Sequence, residues 1–568
     1  MSLSYEDVRS LNWFIADQVR DKGNGNNNDA MSVAIPVLIF KRLMDMRKEY
    51  TATFFDPAFP EQNGVYQLYN DLDQAIANYQ NNASTFAVKQ DSMLFYRMIW
   101  KDILEFPDNH DPEVELAYQD GHGGFYKVKA KNKVELIQEI IDSFGNPKIS
   151  EIFNYLDFKT KINSNNISQI LSYYDFVKLL EEMDKYELSL GNAPSDIFSE
   201  AYMDLLQRFA PQKGSKQGEF FTPNKITKAG IRMLNPTLPE DRLTIIGDIT
   251  SGACTFMTEF ADFVENKEKE SLGKSSLSAA EKMSFKERLQ IVVQEKDRVS
   301  YAAGEANLLL HDMLDRTVAF HGNTITEYAS KIGQYEGKFD YILANPPYGL
   351  DDYGQDHAKV AKETGAELGR WGYGVPNATD GEFAFLQTIV GLLSEQGKAL
   401  VVLPLGTLFR DSTSAQRQIL IEQKDYVEGI VLLPGKLFNT TDIPVCFWII
   451  NKNKSEQDKG KVFFINAEND FTKIKNKNDW NIDRAVECFI AKKEEEGYAK
   501  YIDNDIIAAN KFDLSVSKYV KFKEIKDKII INETLDRILE LKANIENESL
   551  VSIFETIKIL YGNENENN

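Results

Sequence analysis

Residues 339–348 read FDYILANPPY, and this stretch decides the fold class. Its first six residues form a short, mostly apolar run of the kind that predicts a buried β-strand. The tetrad Asn345-Pro346-Pro347-Tyr348 follows directly. A proline pair cannot continue the strand, because proline has no backbone N–H to donate to a neighbouring strand. The stretch therefore predicts a strand that ends at a polar and aromatic loop.

Five further apolar runs alternate with helical patterns along the chain. They are LTIIGD at 243–248, LQIVVQE at 289–295, KALVVLP at 398–404, EGIVLLP at 428–434 and CFWIINK at 446–452. Strands separated by helices predict a parallel-rich α/β sheet, and such sheets bind their ligands at the carboxyl ends of the strands. We therefore expect Asn345 to lie at the ligand-binding edge.

The sequence pattern changes along the chain and predicts three parts. Residues 1–205 are mostly helical in pattern and predict a helical N-terminal domain. Residues 206–465 contain the alternation of strands and helices. Residues 466–568 are rich in Lys, Glu and Asn and include a helical pattern, INETLDRILELKANIENE. We interpret this last part as a helical C-terminal extension that makes subunit contacts.

Composition and charge narrow the classes of function. The 568 residues carry a formal net charge of −22, which is unfavourable for holding DNA without help, because duplex affinity comes largely from Lys and Arg contacts to phosphates. Only three cysteines occur, without a CxxC pair, so we expect neither a zinc site nor a disulfide framework and place the protein in the cytoplasm. No apolar run approaches the ~20 residues of a membrane span, and the start is an amphipathic pattern rather than a signal peptide.

The tetrad has the groups that methylation of a planar amine requires. The exocyclic amine of adenine is a poor nucleophile because its lone pair is delocalised into the ring. The side-chain oxygen of Asn345 and the backbone carbonyl of Pro346 can accept its two N–H groups and position the nitrogen for in-line attack on a methyl sulfonium. Tyr348 offers a ring on which a flipped base can stack. A Pro-Pro turn after a strand would explain the tetrapeptide alone, but the α/β context favours the chemical interpretation.

Three other segments are candidates for cofactor binding. Residues 248–256, DITSGACTF, follow a strand, and their small residues would let the backbone approach a ligand. Glu295 ends the strand 289–295 and is suited to accept ribose hydroxyls. Residues 218–223, GEFFTP, precede the first strand and could close over a cofactor. Each segment also has a purely structural explanation, as a turn, a surface acid or a helix entry. None of the three by itself shows that a cofactor is bound.

Together and in this order, the segments resemble the modification (M) subunit of type I restriction-modification systems, within the gamma-class adenine-N6 methyltransferases. The resemblance covers roughly residues 5–520. It includes GEFFTP, the run QEKDRVSYAAGEANLLLHDM, the tetrad, DGEFAFLQTIVGLLSEQGKALVVLPLGTLFR and VLLPGKLFNTTDIPVCFWIINKNK. At the front, LNWFIADQVR and VLIFKRLMDMRKEY are similar to the helical N-terminal domain of that family.

The resemblance implies a Rossmann-like methyltransferase domain that uses S-adenosyl-L-methionine, preceded by a DNA-clamping helical domain. It implies that the tetrad binds and methylates a flipped adenine in double-stranded DNA. A separate specificity (S) subunit would read the DNA sequence, with two M subunits per S subunit, and a restriction (R) subunit could join. The implied cofactor contacts are Glu219, Phe220, Phe221, Thr222, Pro223, Asn224, Asp248, Ser251, Gly252, Ala253, Glu295 and Asn323.

The chain departs from the family pattern at three positions on the cofactor side. Ile249 stands where proline is usual, and Cys254 takes the place of a second glycine. If that position needs a positive φ, cysteine carries a strain that glycine does not, and we expect weaker cofactor binding. Asn323 replaces an aspartate that would accept a hydrogen bond from the adenine amine of the cofactor, and its carbonyl can still accept one.

Two other functions stay open on the sequence. The first is a protein-glutamine N5-methyltransferase, whose substrate is a side-chain amide with an equally delocalised nitrogen lone pair. Such enzymes share the tetrad, but they are far shorter and lack GEFFTP and the long block after the tetrad. A non-catalytic DNA clamp or assembly scaffold is the second, and the departures at Cys254 and Asn323 motivate it, whereas the intact tetrad argues against it.

Overall fold

The structure of the protein is a computed structural model. It describes residues 3–22, 27–55, 94, 98–119, 125–143, 147–156, 158–162, 170–189, 192–193, 197–198, 201–202, 204–206, 222–350, 353, 370–438, 442–474 and 477–521. The described residues up to Val520 belong to one compact unit. The helix predicted at 531–548 lies outside the described residues, as do Glu219, Phe220 and Phe221.

Helices dominate the described residues before 206. Their apolar faces share one buried core, and polar side chains cap helix starts where backbone N–H groups lack partners, as Asn132 does by accepting from Glu135 N at 3.0 Å. The elements are α1 (Tyr5–Lys22), α2 (Asn27–Phe55), α3 (Trp100–Glu105), the hairpin strands β1 (Leu116–Ala117) and β2 (Phe125–Tyr126), α4 (Lys133–Asp142), α5 (Pro147–Leu156), α6 (Phe158–Ile162) and α7 (Tyr173–Met183).

The remainder is built on a nine-stranded mixed sheet flanked by helices. Its strands are β3 (Thr244–Asp248), β4 (Leu289–Glu295), β5 (Thr317–His321), β6 (Phe339–Ala344), β7 (Leu393–Pro404), β8 (Val427–Leu432), β9 (Val445–Asn451), β10 (Lys461–Asn466) and β13 (Ala499–Asp503). A separate hairpin pairs β11 (Phe471–Ile474) with β12 (Lys477–Trp480). The helices are α8 (Asn224–Leu234), α9 (Thr255–Leu272), α10 (Ala279–Glu287), α11 (Arg298–Leu310), α12 (Gly381–Leu392), α13 (Ser414–Gln418), α14 (Ile482–Ala491), α15 (Asn504–Ala509) and α16 (Val516–Tyr519).

The strand order explains where the ligand-binding edge lies. The sheet runs β13-β10-β8-β9-β7-β6-β3-β4-β5, and the pairs from β5 through β7 are parallel. Within this half, β5-β4-β3-β6-β7 has the order 3-2-1-4-5 of doubly wound nucleotide-binding folds. Successive strands are added toward one edge of the sheet from β3 to β5 and toward the other edge from β6 onward. The strand order therefore reverses between β3 and β6, and ligands bind at such a switch point. The prediction of a parallel-rich α/β sheet is confirmed.

All six strands predicted from the sequence are present, and the nine-stranded sheet contains three more that the sequence did not indicate. These are β5, β10 and β13, and β13 pairs antiparallel with β10 at one edge. The sheet thus extends past residue 466, into the part interpreted as a C-terminal extension. The two boundaries between the three predicted parts themselves stay predictions.

Alternating side chains of the central strands pack into cores on opposite faces of the sheet. On β6, Leu343 joins one cluster, and Ile342 and Ala344 join the other, all fully buried. Burial on both faces keeps β6 in place and leaves its carboxyl end as the point where the chain emerges. None of the helices among the described residues is long and apolar enough to cross a membrane.

Candidate active site

The tetrad lies where the sequence analysis expected it, directly after β6 at the carboxyl edge of the sheet. Asn345 is held on both sides, because its Nδ2 donates to Thr222 Oγ1 at 3.2 Å and its Oδ1 accepts from the Tyr348 hydroxyl. Pro346 is buried and Asn345 is partly exposed. The amide therefore has a defined orientation, and Oδ1 retains a second lone pair for another donor.

Tyr348 is the most enclosed member of the tetrad. Only 4% of the residue is exposed, and its ring belongs to a buried core cluster. Burial raises the pKa of Tyr348 well above its usual value, so the hydroxyl is a proton donor at neutral pH. The hydroxyl holds Asn345 in place, which the sequence alone did not indicate. Stacking of a base on this ring stays a prediction, and it requires a face of the ring to be uncovered.

Thr222 links the segment before the sheet to the tetrad. It is 8% exposed, and it precedes Pro223 and Asn224, where α8 begins. Pro223 supplies a fixed φ at the helix entry and Asn224 is the first helical residue. Of the predicted GEFFTP contacts, the structure therefore brings Thr222 into contact with the base side of the site, through Asn345.

The turn after β3 contains two residues with positive φ. Gly252 has φ 49°, and Cys254, which precedes α9, has φ 58° and ψ 26°. An L-residue in this left-handed region carries a steric cost of roughly 1 kcal/mol, because Cβ approaches the following carbonyl oxygen. The condition attached to Cys254 in the sequence analysis is thus met. Ser251 N donates to Gln294 O at 3.1 Å, which fixes the turn to β4.

Helix α11 packs against this turn at very short range. A Cβ on Gly304 would lie 2.7 Å from Gly252 O and 2.8 Å from Cys254 Sγ, so only glycine fits there. Asn307, one turn further along, donates to Ala253 O at 2.9 Å. Neither Gly304 nor Asn307 was predicted from the sequence to belong to the site. A glycine inside a helical pattern, which weakens the helix, was the available signal.

Glu295 ends β4 beside the turn, as its spacing predicted. Its two oxygens accept backbone N–H groups, Oε2 from Gly252 at 2.8 Å and Oε1 from Asp297 at 2.8 Å. Removal from solvent raises the pKa of Glu295 to about 7. The backbone N–H of Lys296 also interacts with this carboxylate, which has about four acceptor positions, so Glu295 retains capacity for a further donor such as a hydroxyl.

Asp248, the last residue of β3, is a second buried acid at this edge. It is 2% exposed, and its Oδ1 accepts from Thr250 N at 2.9 Å. Burial, with a smaller contribution from the nearby charge of Glu295, raises the pKa of Asp248 to about 8. Two carboxyl groups that are difficult to ionise therefore lie at the ends of adjacent strands.

Asn323 lies in the loop after β5, and its side chain is already engaged. Its Oδ1 accepts from Ile325 N at 2.8 Å and from Thr326 N at 3.1 Å. A carbonyl oxygen has two lone pairs, so in this conformation both are used by the turn. The expected acceptance of a cofactor amine by Asn323 requires this turn to open. The neighbouring Thr324 Oγ1 donates to Ile249 O, which joins the loop to the turn after β3.

Three aromatic rings at the end of β5 also escaped the sequence analysis. Tyr155, from α5, lies 5.3 Å from His321 and 4.8 Å from Tyr301, centroid to centroid. His321 pairs in register with Glu295, so the cluster is next to that carboxylate in the sheet. Its members come from three elements far apart in sequence, which is why no local pattern indicated it.

The predicted residues assemble into two groups on either side of the switch point. We define the base half as Thr222 and the tetrad, joined by hydrogen bonds through Asn345. We define the cofactor half as the turn after β3, Glu295 and the loop of Asn323, joined by the contacts of Gly252 with Glu295 and of Thr324 with Ile249. The arrangement places a positioned amide oxygen beside a small-residue turn and a carboxylate.

Known proteins share both the sequence and the fold. The N-6 DNA methylase family matches residues 193–528. The chain is 27% identical over 460 residues to the type I restriction enzyme MjaVII methylase subunit of Methanocaldococcus jannaschii, covering 78% of this chain and 69% of that protein. It is 25% identical over 575 residues to the type I restriction enzyme MpnII methylase subunit of Mycoplasma pneumoniae, covering 98% and 97% respectively.

A solved structure extends this likeness to the fold. The methyltransferase subunit of a type I restriction-modification system from Streptococcus thermophilus superimposes with a TM-score of 0.66 at 18% identity, covering 91% of this chain and 100% of that one. The resemblance to type I modification subunits is thereby confirmed. Since the family match spans more than half of the chain and includes both halves of the site, the chain belongs to the N-6 DNA methylase family.

Proposed function

We propose that this chain transfers a methyl group to the N6 amine of adenine in DNA, as the catalytic subunit of a type I restriction-modification complex. The observation that carries the proposal is the amide of Asn345, held between Thr222 and Tyr348 at the end of β6. A fixed acceptor at the switch point of the sheet is what a poorly nucleophilic amine requires.

In this mechanism the base half binds and orients the adenine. Asn345 Oδ1 accepts one N–H of the exocyclic amine through its second lone pair, and the Pro346 carbonyl accepts the other. Both bonds draw electron density toward the nitrogen and favour the geometry from which it attacks. Positioning of this kind contributes much of the acceleration, and Pro347 keeps the carbonyl aimed by restricting the backbone.

The cofactor half fits S-adenosyl-L-methionine, which supplies an activated methyl group as a sulfonium when bound. Gly252, with its positive φ and no side chain, leaves the backbone of the turn open to a ligand. Glu295 would accept the ribose hydroxyls, and Asp248 with Ser251, Gly252 and Ala253 would hold the methionine part. Glu295 accepts the backbone N–H groups of Gly252 and Asp297, and these bonds hold the carboxylate beside the turn after β3.

Partner subunits follow from charge as well as from family. With a formal net charge of −22, the chain is poorly suited to bind duplex DNA by itself. A specificity subunit would supply the sequence reading and much of the phosphate contact, with two modification subunits per specificity subunit. We expect the purified chain to bind duplex DNA weakly in a fluorescence titration. Tight, salt-sensitive binding of DNA by the chain alone would contradict this division of labour.

The decisive test of the function is to sequence methylated adenines in host DNA with and without this chain. We expect N6-methyladenine at a defined sequence to disappear when the chain is deleted and to return with the wild-type gene. Complementation with Asn345→Ala should leave the sites unmethylated. If the methylation pattern is the same in all strains, the proposal is wrong.

A non-catalytic role in assembly is the alternative that specific observations favour. Cys254 strains the turn after β3, and both lone pairs of Asn323 Oδ1 are used within its own loop. Calorimetric titration with S-adenosyl-L-methionine separates the two functions. An enzyme shows binding heat in the assembled complex, whereas a scaffold shows none.

A further inference from the structure

Behind the tetrad lies a buried acid that the mechanism above does not use. Glu382 is in the first turn of α12 and is 1% exposed. Its Oε1 accepts the backbone N–H of Gly349 at 3.0 Å. Gly349 directly follows Tyr348 and has φ 65°, so this bond is made at the point where the chain turns away from the tetrad.

A guanidinium holds the other oxygen of the same carboxylate. Arg410, from the loop after β7, donates through Nη1 to Glu382 Oε2 at 3.3 Å and lies 3.7 Å from Asp380 Oδ1. Asp380 is 2% exposed and also accepts from Ser412 Oγ at 3.1 Å. Two buried carboxylates thus share one arginine, and Glu382 connects it to the backbone after the tetrad.

The charge of Glu382 is costly in this position. Burying a carboxylate carries a desolvation penalty that an ion pair often fails to repay, and α12 is otherwise apolar, with the sequence GEFAFLQTIVGL. A neutral glutamine could accept the N–H of Gly349 without that penalty. A charged acceptor makes a stronger hydrogen bond, and it also retains Arg410 as a second anchor. The arrangement therefore restricts the motion of the backbone at Gly349 at a cost in the free energy of folding.

We propose that Glu382 is a positioning residue for methyl transfer, which acts by fixing Gly349 and with it the Tyr348 hydroxyl that holds Asn345. The inference rests on the proposed function, because it needs Asn345 to orient the amine. Loss of the anchor removes no group that contacts the adenine or the cofactor, but it lets the tetrad move from the position that orients the amine. A misplacement on the order of 1 Å lowers a positioned reaction about 100-fold.

The test uses the full chain assembled with its specificity partner and a duplex that carries the site methylated in cells. Single-turnover methyl transfer, the KM for DNA and calorimetric binding of S-adenosyl-L-methionine are measured for each variant. Glu382→Ala removes both bonds, Glu382→Gln keeps an acceptor for Gly349, and Glu395→Gln is the control on an exposed glutamate of β7. Gly406→Ala acts on Arg410 instead, because a Cβ there would lie 2.9 Å from Arg410 Nε.

We expect Glu382→Ala to lower the single-turnover rate roughly 10- to 100-fold, with cofactor binding and KM close to wild type. Its melting temperature should fall, because the substitution leaves a cavity and takes the acceptor from the buried backbone N–H of Gly349. Glu382→Gln should restore part of the rate, Gly406→Ala should lower it to a smaller extent, and Glu395→Gln should match wild type. A wild-type rate in Glu382→Ala overturns the proposal. So does a parallel loss of melting temperature and cofactor binding, which would show a purely structural role.

If Glu382→Ala does not fold, wild-type rates in both Glu382→Gln and Gly406→Ala overturn the proposal, and lowered rates support it. If the wild-type complex itself transfers no methyl group to any adenine, the proposed function has failed. That result is distinct from a wild-type complex that methylates DNA equally well with and without Glu382.

Discussion

The two halves of the site are prepared to different degrees. In the base half, Asn345 is fixed by two side chains, and a buried carboxylate anchors the backbone that follows. In the cofactor half, the acids have raised pKa values, a cysteine occupies a strained backbone position, and the oxygen of Asn323 is used by its own loop. The first half is organised before its ligand arrives, whereas the second must ionise or rearrange.

This contrast indicates which free-energy cost each half carries, for orienting the amine and for binding the cofactor. A poor nucleophile needs exact placement, so the structure maintains the groups around Asn345 by bonds that exist before binding. On the proposed contacts, cofactor binding instead has to overcome the partial protonation of Asp248 and Glu295, and the strain at Cys254 destabilises the turn that would hold the cofactor. We therefore expect substitutions in the base half to change the rate, and substitutions in the cofactor half to change affinity and stability.

The largest expected effect is in the base half. Asn345→Ala should lower methyl transfer at least about 100-fold, because the amine loses an acceptor that orients it. Cofactor affinity and the free energy of unfolding should stay close to wild type. The measurement is single-turnover methylation of target DNA, alongside calorimetry with S-adenosyl-L-methionine.

Asn469→Ala, at an exposed position after β10, is the matched control and should keep the wild-type rate. Retained methylation in Asn345→Ala would remove the assigned role. A comparable loss of cofactor binding would abolish the distinction between the two halves.

The next effect is on stability in the cofactor half. Burial raises the pKa of Asp248 to about 8, above its value in the unfolded chain, so its contribution to stability is lost as the pH rises through the folded pKa. Asp248→Asn keeps an oxygen for Thr250 N and cannot ionise. The variant should be more stable than wild type by on the order of 5 kcal/mol near pH 8, with the difference shrinking toward pH 4.

Chemical denaturation across this pH range measures the difference, and it should level off above about pH 8. Asp241→Asn, at an exposed aspartate before β3, should show no such trend. A difference that is constant with pH would mean that Asp248 is already ionised in the folded protein.

Cofactor affinity should itself depend on pH. Glu295 and Asp248 must ionise to accept hydroxyls and to face a cationic ligand, and burial raises their pKa values to about 7 and about 8. The ionisation of Glu295 alone should therefore make the binding of S-adenosyl-L-methionine about tenfold tighter from about pH 6 to about pH 9, and that of Asp248 should add to the gain, with release of protons. Calorimetry in two buffers of different ionisation enthalpy counts those protons.

S-adenosylhomocysteine, which lacks the sulfonium charge, is the control and should respond less to pH. Affinity that is independent of pH for both ligands would show that these carboxyl groups do not titrate on binding.

The smallest expected effect isolates the strain at Cys254. Alanine at this position removes Sγ but keeps Cβ at positive φ, whereas glycine removes both. Cys254→Gly should therefore be more stable than Cys254→Ala by roughly 1 kcal/mol, and should bind the cofactor at least as tightly. Thermal and chemical unfolding of the pair provide the measurement. An alanine variant as stable as the glycine variant would mean that the turn relaxes to accommodate a side chain.

Local pattern was sufficient for the elements that carry the chemistry. The apolar run before Asn345 and those before Asp248 and at Glu295 predicted strands, and all three are present with the expected residues at their carboxyl ends. The sequence raised the possibility of a positive φ at Cys254, because this residue takes the place of a glycine in the turn between a strand and a helix. These features depend on a few neighbouring residues, which is why they can be read from the chain.

Contacts between distant segments could not be predicted in this way. The anchor of Gly349 on Glu382 joins residues 33 apart, and the bond from Asn345 to Thr222 joins residues 123 apart. The close approach of Gly304 to the turn after β3 depends on how α11 packs. In sequence, Glu382 is one acid in an apolar helix. Nothing in the neighbouring residues shows that its carboxylate holds the backbone of a distant loop.

The sequence by itself determined the reaction class, the family and the strand that presents the tetrad, because backbone stiffness and side-chain chemistry at Asn345-Pro346-Pro347-Tyr348 are local properties. Only the tertiary structure decided how far the groups of each half are positioned and ionised before a ligand binds. It brought Thr222, Tyr348 and Glu382 around the tetrad, and it buried Asp248 and Glu295 beside each other. Hydrogen-bond partners and solvent exclusion are set by packing between segments far apart in the chain, and these determine orientation and pKa.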